Sequence, residues 1–271
     1  MHIPRIVNRV LNDYIALFNQ YFPETMEGLY VHGSIALDAY VDHSSDIDFI
    51  TVTNRPLTEK DAEYLSSIHS IIANNYPKPE MDGVYIQWKD VGELYKNTSE
   101  NYFYYNNDKL LFGEYFNFNP VTWWIIQHHG INIIGKDPRE FVLDIQPEQL
   151  SSYVLDNMNS YWANYIQTAE NSIDQLVIQP TETIDFQIEW TVLGLLRQFY
   201  TLKENSIVSK LDAGEYGGDQ LPAGWHPIIK EAINIRKGEK KVTFRSERER
   251  IDHALGFSQY LMRECNRVIT K

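Results

Sequence analysis

Cys265 is the only cysteine among the 271 residues, so no disulfide forms within the chain and nothing in the composition speaks for an oxidising compartment. Basic residues are also scarce: 24 Lys and Arg stand against 37 Asp and Glu, a formal net charge of -13. Such an acidic chain is poorly suited to tracking a phosphate backbone, which argues against nucleic-acid binding, and it suits a cationic partner. No run approaches the ~20 consecutive apolar residues that span a bilayer. The opening MHIPRIVNRVLNDYIALF has neither the uninterrupted apolar core nor the small-residue cleavage site of a signal peptide. The expectation is a cytoplasmic monomer with no membrane or nucleic-acid partner. There is no internal repeat and no low-complexity tract. With 43% hydrophobic and 23% charged residues, the chain is long enough for one large domain or two smaller ones.

The pattern changes along the chain. Val7, Val10, Leu11, Tyr14, Ile15, Leu17 and Phe18 recur at helical spacing and stop before Pro23, predicting an amphipathic first helix. GLYVHG reads as a short strand, DIDFITVT as a second and GVYIQWKDV as a third, with Val84, Ile86 and Trp88 on one face. Thr58 and Asp61 have the spacing of a capping box ahead of a helix reaching about Asn75. NPVTWWIIQHHG reads as a helix and INIIG as a strand. From about residue 148 onward, PEQLSSYVLDNMNSYWANYIQTAENSIDQL, DFQIEWTVLGLLRQFYTLK, HPIIKEAINIRKG and RERIDHALGFSQYLMRECNRVI are all helical in pattern. The predicted fold is therefore an α/β (α+β) domain with a mixed sheet over 1–147, followed by an all-α bundle over 148–271.

One stretch of the first half carries chemistry. Asp46 and Asp48 flank Ile47 at the start of the second strand, and residues two apart on a strand face the same way. Two like charges so close repel, and protons or a cation relieve the repulsion. Mg²⁺ usually takes one or two carboxylates together with substrate phosphates and water. About a dozen residues earlier, Gly33-Ser34 follows an apolar strand and opens a predicted helix; a glycine there allows close backbone approach to a phosphate, and a helix N-terminus adds favourable partial charge. Ser34 and Ser45 supply further donors. Taken alone, D-x-D also reads as a solvated strand edge and Gly-Ser as a turn; the combination points to a phosphate cradle beside a metal site. His32, His43, His128 and His129 do not form a pattern that suits zinc, since adjacent helical histidines point apart. The aromatic run NYFYYNND and the pair Trp123-Trp124 read as core.

VHGSIALDAYVDHSSDIDFITVT resembles the signature of the nucleotidyltransferase superfamily, and within it the chain is most similar to the aminoglycoside adenylyltransferases that modify streptomycin and spectinomycin. VLGLLRQFYTLKENSIVSK and LPAGWHPIIKEAINIRKGE resemble the helical domain that closes over nucleotide and drug in that family. The resemblance implies that Asp46 and Asp48 hold one or two Mg²⁺ ions, and that Gly33, Ser34, Ser45, Arg197 and Lys210 contact ATP. A third carboxylate would act as the base, and Asp82 in MDGVYIQW is its match. Streptomycin-modifying members carry Glu there, so Asp82 stands between catalytic base, third metal ligand and simple turn residue. Glu114 and Tyr115 fall where relatives contact drug. The relatives' acidic residue ahead of the long helix falls near Gln187, with Asp185 and Glu189 close by. The implied reaction is transfer of AMP from ATP to a hydroxyl of a small cationic acceptor, spectinomycin first and streptomycin second. Transfer to another small-molecule or protein hydroxyl, or nucleotide binding without turnover, are the alternatives.

Overall fold

The computed structural model describes residues 3–42, 44–94, 100–239, 241 and 243–269. The chain divides into two compact units, Met1–Ile145 and Gln146–Lys271.

In the first unit, helix α1 (Arg5–Tyr21) buries Val7, Val10, Leu11, Tyr14 and Phe18, the stripe its periodicity requires. Strand β1 (Met26–Val31) leads into a single helical turn, α2 (Gly33–Ala36), and then β2 (Ile47–Thr53). Helix α3 (Glu59–Asn75) starts at a full capping box, in which the Thr58 N–H donates to the Asp61 carboxylate at 2.7 Å. Strand β3 (Met81–Ile86), the hairpin β4 (Tyr102–Asn106) and β5 (Lys109–Gly113), helix α4 (Pro120–His129) and strand β6 (Ile131–Ile134) complete the unit. Among the described residues the sheet has six strands in the order β5-β4-β3-β2-β1-β6, with β2 and β3 parallel and the other neighbours antiparallel. One core packs α1 and α3 against Leu29, Val31, Ile47, Phe49, Met81, Tyr85, Phe103 and Tyr105. Alternation leaves the neighbouring residues of those strands on the opposite face.

Two expectations change here. The third strand ends at Ile86, because the Gln87 N–H donates to the Asp90 carboxylate at 2.8 Å and turns Trp88–Asp90 into a 3₁₀ helix. The aromatic run does bury Tyr102, Phe103 and Tyr105, as a core reading requires, but it does so within a hairpin that its pattern did not announce: Asn107 and Asp108 both take left-handed φ, 49° and 57°, as a two-residue hairpin turn requires.

The second unit is helical. It comprises α5 (Pro147–Asn157), a π turn (Met158–Trp162), α6 (Ala163–Asn171), α7 (Ile173–Leu176), α8 (Thr181–Glu204), α9 (Lys210–Gln220), α10 (His226–Arg236) and α11 (Glu247–Ile269). The long helix expected over 147–176 is thus interrupted twice. Its wide π turn holds Trp162 against Gly194 of α8, where a Cβ would lie 2.8 Å from the indole. Helix α9 was not evident from its pattern. Ser209 caps it by accepting the Asp212 N–H at 3.1 Å, and Gly217 brings it so close to α8 that a Cβ would sit 2.5 Å from Leu196. Leu193, Leu195, Leu196, Ile228, Ile229, Phe257 and Leu261 form the centre of this unit's core. No described helix is long and apolar enough to cross a membrane.

Candidate active site

In the first unit the site is built where β1 hands over to α2. Ile35 and Ala36 are buried and anchor the turn, while Gly33 adopts φ +60°, a conformation costly for any residue with a Cβ. Space excludes a side chain as well, since a Cβ on Gly33 would fall 1.8 Å from Asp48 Oδ2. The His32 N–H donates to the Asp48 carbonyl at 3.0 Å, fastening this turn to β2. Because α2 is only four residues long, the helix-end field expected from the sequence shrinks to the N–H groups of a single turn.

Ile47 and Phe49 are fully buried in the α1/α3 core, which forces the residues between and before them to the other side. Asp48 is half-buried there and Asp46 is exposed just ahead of β2. The parallel register sets Asp48 directly beside Asp82 of β3, so the residue open to a turn reading is in fact in a strand. Asp82 Oδ2 accepts from Asn106 Nδ2, whereas its Oδ1 is buried and has no hydrogen-bond partner among the described residues. Burial pushes the Asp82 carboxyl up to about 6; Asn106 opposes the shift, and the charges of Asp46 and Glu80 add to it.

The other residues singled out in this unit are placed as follows. Ser45 is buried and its Oγ accepts the Val41 N–H at 3.0 Å, while Ser34 lies in α2. Tyr115 is buried against Tyr104 and Phe118; burial raises its phenol, and the charges of Asp82 and Asp48 raise it further. Glu114 is exposed. His43 lies outside the described residues. His128 stacks on Trp124 and bonds its carbonyl at 2.9 Å. Among the described residues no three His, Cys, Asp or Glu side chains form a ready-made metal cage.

The second unit gathers cations. Glu189 Oε1 accepts from Lys210 Nζ at 2.8 Å and from Arg236 Nη1 at 3.3 Å. Burial lowers the Lys210 pKa, Glu189 opposes this, and the nearby Arg236 and Arg197 add to the lowering. Arg197 and Lys210 thus belong to one electrostatic neighbourhood. Arg236 was missed as a candidate: it ends α10, where a basic residue is unremarkable as a complement to the helix dipole. Asp185 is engaged by Arg250, which also bonds Glu231 and Glu247. Gln187 faces an apolar pocket together with Thr183, Thr191, Ile188, Ile251 and Leu255.

Residues 154–261 match the family model of the aminoglycoside adenylyltransferase C-terminal domain. The matched stretch lies within the second unit. That family is named for adenylyl transfer to aminoglycosides. Among solved structures the chain is similar to the spectinomycin adenyltransferase AAD(9) from Enterococcus faecialis, determined with ATP and spectinomycin. The TM-score is 0.65 and the identity 17%, over 93% of this chain and 99% of that one. At that identity the likeness establishes the fold, a mixed-sheet unit followed by helices. No curated protein matches the sequence closely enough to count as a relative.

Proposed function

We propose that this protein transfers AMP from ATP to a hydroxyl of an aminocyclitol or aminoglycoside, spectinomycin first and streptomycin second, releasing pyrophosphate. The observation that carries the reading is the alignment of Asp48 beside Asp82 under Gly33, with the buried Asp82 Oδ1 lacking a hydrogen-bond partner among the described residues. An enclosed carboxylate oxygen left unanswered in the protein suits an outside cation or a proton. These groups fit Mg²⁺, whose habit is to take a few carboxylates and complete its shell with phosphates and water. Asp46, Asp48 and Asp82 would hold it, and when bound it would neutralise charge on the phosphates of ATP.

The remaining work falls to the chain itself. Gly33, Ser34 and Ser45 offer N–H and O–H donors to the phosphates, and the Val41 N–H holds the Ser45 hydroxyl in place. In the second unit, Arg197 and Lys210 are suited to binding ATP with a guanidinium fork and a point charge. In the role alternative to metal ligation, Asp82 orients the acceptor hydroxyl and takes its proton on Oδ1, with Asn106 fixing the carboxylate through the other oxygen. Most of the acceleration in such a transfer comes from positioning and charge neutralisation.

The surroundings of Gln187 favour spectinomycin. Asp185 is committed to Arg250 and Glu189 to Lys210 and Arg236, so the pocket beside Gln187 presents amide, hydroxyl and apolar groups rather than free carboxylates. Streptomycin, with its two guanidinium groups, finds less to pair with there. Glu114 and Tyr115 remain candidate acceptor contacts on the first unit. Pyrophosphate release from Mg-ATP with spectinomycin, with streptomycin and without acceptor, followed by the mass of the product, tests the assignment. An AMP adduct is expected on spectinomycin, and Asp46→Ala is expected to cut its formation at least about 10³-fold with the fold intact. Full activity in Asp46→Ala would remove the metal assignment; ATP binding without any adduct would favour a different acceptor hydroxyl or a binding module.

A further inference from the structure

Asp82 has two carboxylate oxygens, and the neighbouring strand treats them differently. The antiparallel register that pairs Gly83 with Tyr105 sets Asn106, the last residue of β4, across from Asp82. Asn106 Nδ2 donates to Asp82 Oδ2, while the buried Oδ1 has no hydrogen-bond partner among the described residues. The arrangement depends on which end of the Asn106 amide faces the carboxylate. Turned about, the amide keeps nearly the same shape but offers an acceptor to an acceptor.

The hairpin turn fixes that choice. Asn106 pairs with Lys109, so the turn consists of Asn107 and Asp108, and Asn107 Nδ2 donates to Asn106 Oδ1. With its oxygen engaged from the turn, Asn106 presents its NH₂ group to Asp82; Oδ2 is held, and Oδ1 is left for a proton or a cation. Both roles open to Asp82, base and metal ligand, use that oxygen. The left-handed backbone at Asn107, φ 49°, is one that Asn tolerates and Gly adopts freely. What Asn adds over Gly at this exposed position is the donor.

We propose that Asn107 is a positioning residue of the adenylyl-transfer site, acting through Asn106 to fix the Asp82 carboxylate with Oδ1 as its working oxygen. This rests on the reading that Asp82 serves adenylyl transfer.

The test is steady-state transfer of AMP, read as kcat and as KM for Mg-ATP and for spectinomycin, in the full chain and its variants, each checked by thermal unfolding. Asn107→Gly keeps the left-handed turn and deletes only the donor. Its kcat is expected to fall about threefold to tenfold, with both KM values within about twofold of wild type. Asn107→Asp also suits the turn but offers an acceptor, which draws Asn106 Nδ2 away from Asp82; kcat is expected to fall about 30-fold. Asn106→Leu removes the relay, and adding Asn107→Gly to it is expected to cost nothing more. A residue that served the turn alone would leave kcat unchanged in the Gly and Asp variants. Wild-type kcat in Asn107→Asp, or a full further loss when Asn107→Gly is added to Asn106→Leu, would overturn the relay. Absence of any AMP adduct in the wild type would instead remove the function proposed above. The Asn106 side-chain NH₂ signals in solution NMR, assigned by their loss in Asn106→Leu, then decide the relay without activity: they are expected to shift in Asn107→Gly, and unmoved signals would overturn it.

Discussion

The two units treat charge in opposite ways. In the sheet unit, Asp48 and Asp82 are set side by side by strand register, and one buried oxygen of Asp82 has no answering donor among the described residues. In the helical unit, Arg250 meets three carboxylates and Glu189 meets two cations. A buried ion met on all sides holds helices in place, and removing one partner exposes the cost of the other. A buried ion left partly unmet is an expense the fold alone does not require, and such groups gather where ligands bind. The contrast separates the Arg250 anchor, which is architecture, from the Asp48–Asp82 pair, which is suited to chemistry.

The strongest attack on this contrast is Arg250→Met. It leaves Glu231, fully buried, with the Thr243 N–H as its one remaining hydrogen-bond donor among the described residues, and it is expected to cost about 3–5 kcal/mol in chemical denaturation. Adding Glu231→Gln should recover most of that loss. A cost below about 1 kcal/mol would mean that the network is not an anchor.

Asp82→Asn should behave in the opposite sense. The native carboxyl titrates at about 6 against an ordinary 3.8, so the folded state holds its proton more tightly than the unfolded one. Its contribution favours folding below 3.8 and is lost as pH rises through about 6. At pH 7 the amide should therefore stabilise the first unit, by on the order of 1–3 kcal/mol, while adenylyl transfer falls by at least about 10²-fold. Destabilisation at pH 7 would erase the difference between the units.

The smallest effect sharpens the comparison through acid. Burial lowers His69 to about 3 and His32 to about 4 from 6.5, and both lie in the first unit. Their neutral forms contribute stability that is complete above 6.5 and is lost as pH falls toward those values. In the Asp82→Asn background, where the opposing titration is gone, pH 5.5 should cost about 1 kcal/mol per histidine. Hydrogen exchange should then show the sheet unit losing protection first; earlier loss in the helical unit would contradict the assignment.

Much of this was legible in the sequence, for reasons that differ by element. Helix α1 announced itself through apolar spacing and α3 through Thr58 and Asp61, signals carried within a few residues. Asp46 and Asp48 were found because period-two alternation is local. Their alignment with Asp82 was not, because register between β2 and β3 depends on how 27 intervening residues, 54–80, return the chain. The β4–β5 hairpin escaped because its turn is Asn107-Asp108 rather than a glycine pair, and α9 because its glycines, poor helix formers, serve contact with α8. Arg236 escaped for a related reason: its partner Glu189 is 47 residues away, and no local pattern links them.

Gly33 carries a consequence for how this site can change over generations. Its left-handed backbone and the Asp48 oxygen occupying the place of a Cβ close the position to every single replacement for as long as Asp48 is kept in place. A lineage that abandoned adenylyl transfer would be released from that restriction at once, and substitution at Gly33, read directly from a genome, would report a retired enzyme before any assay was run.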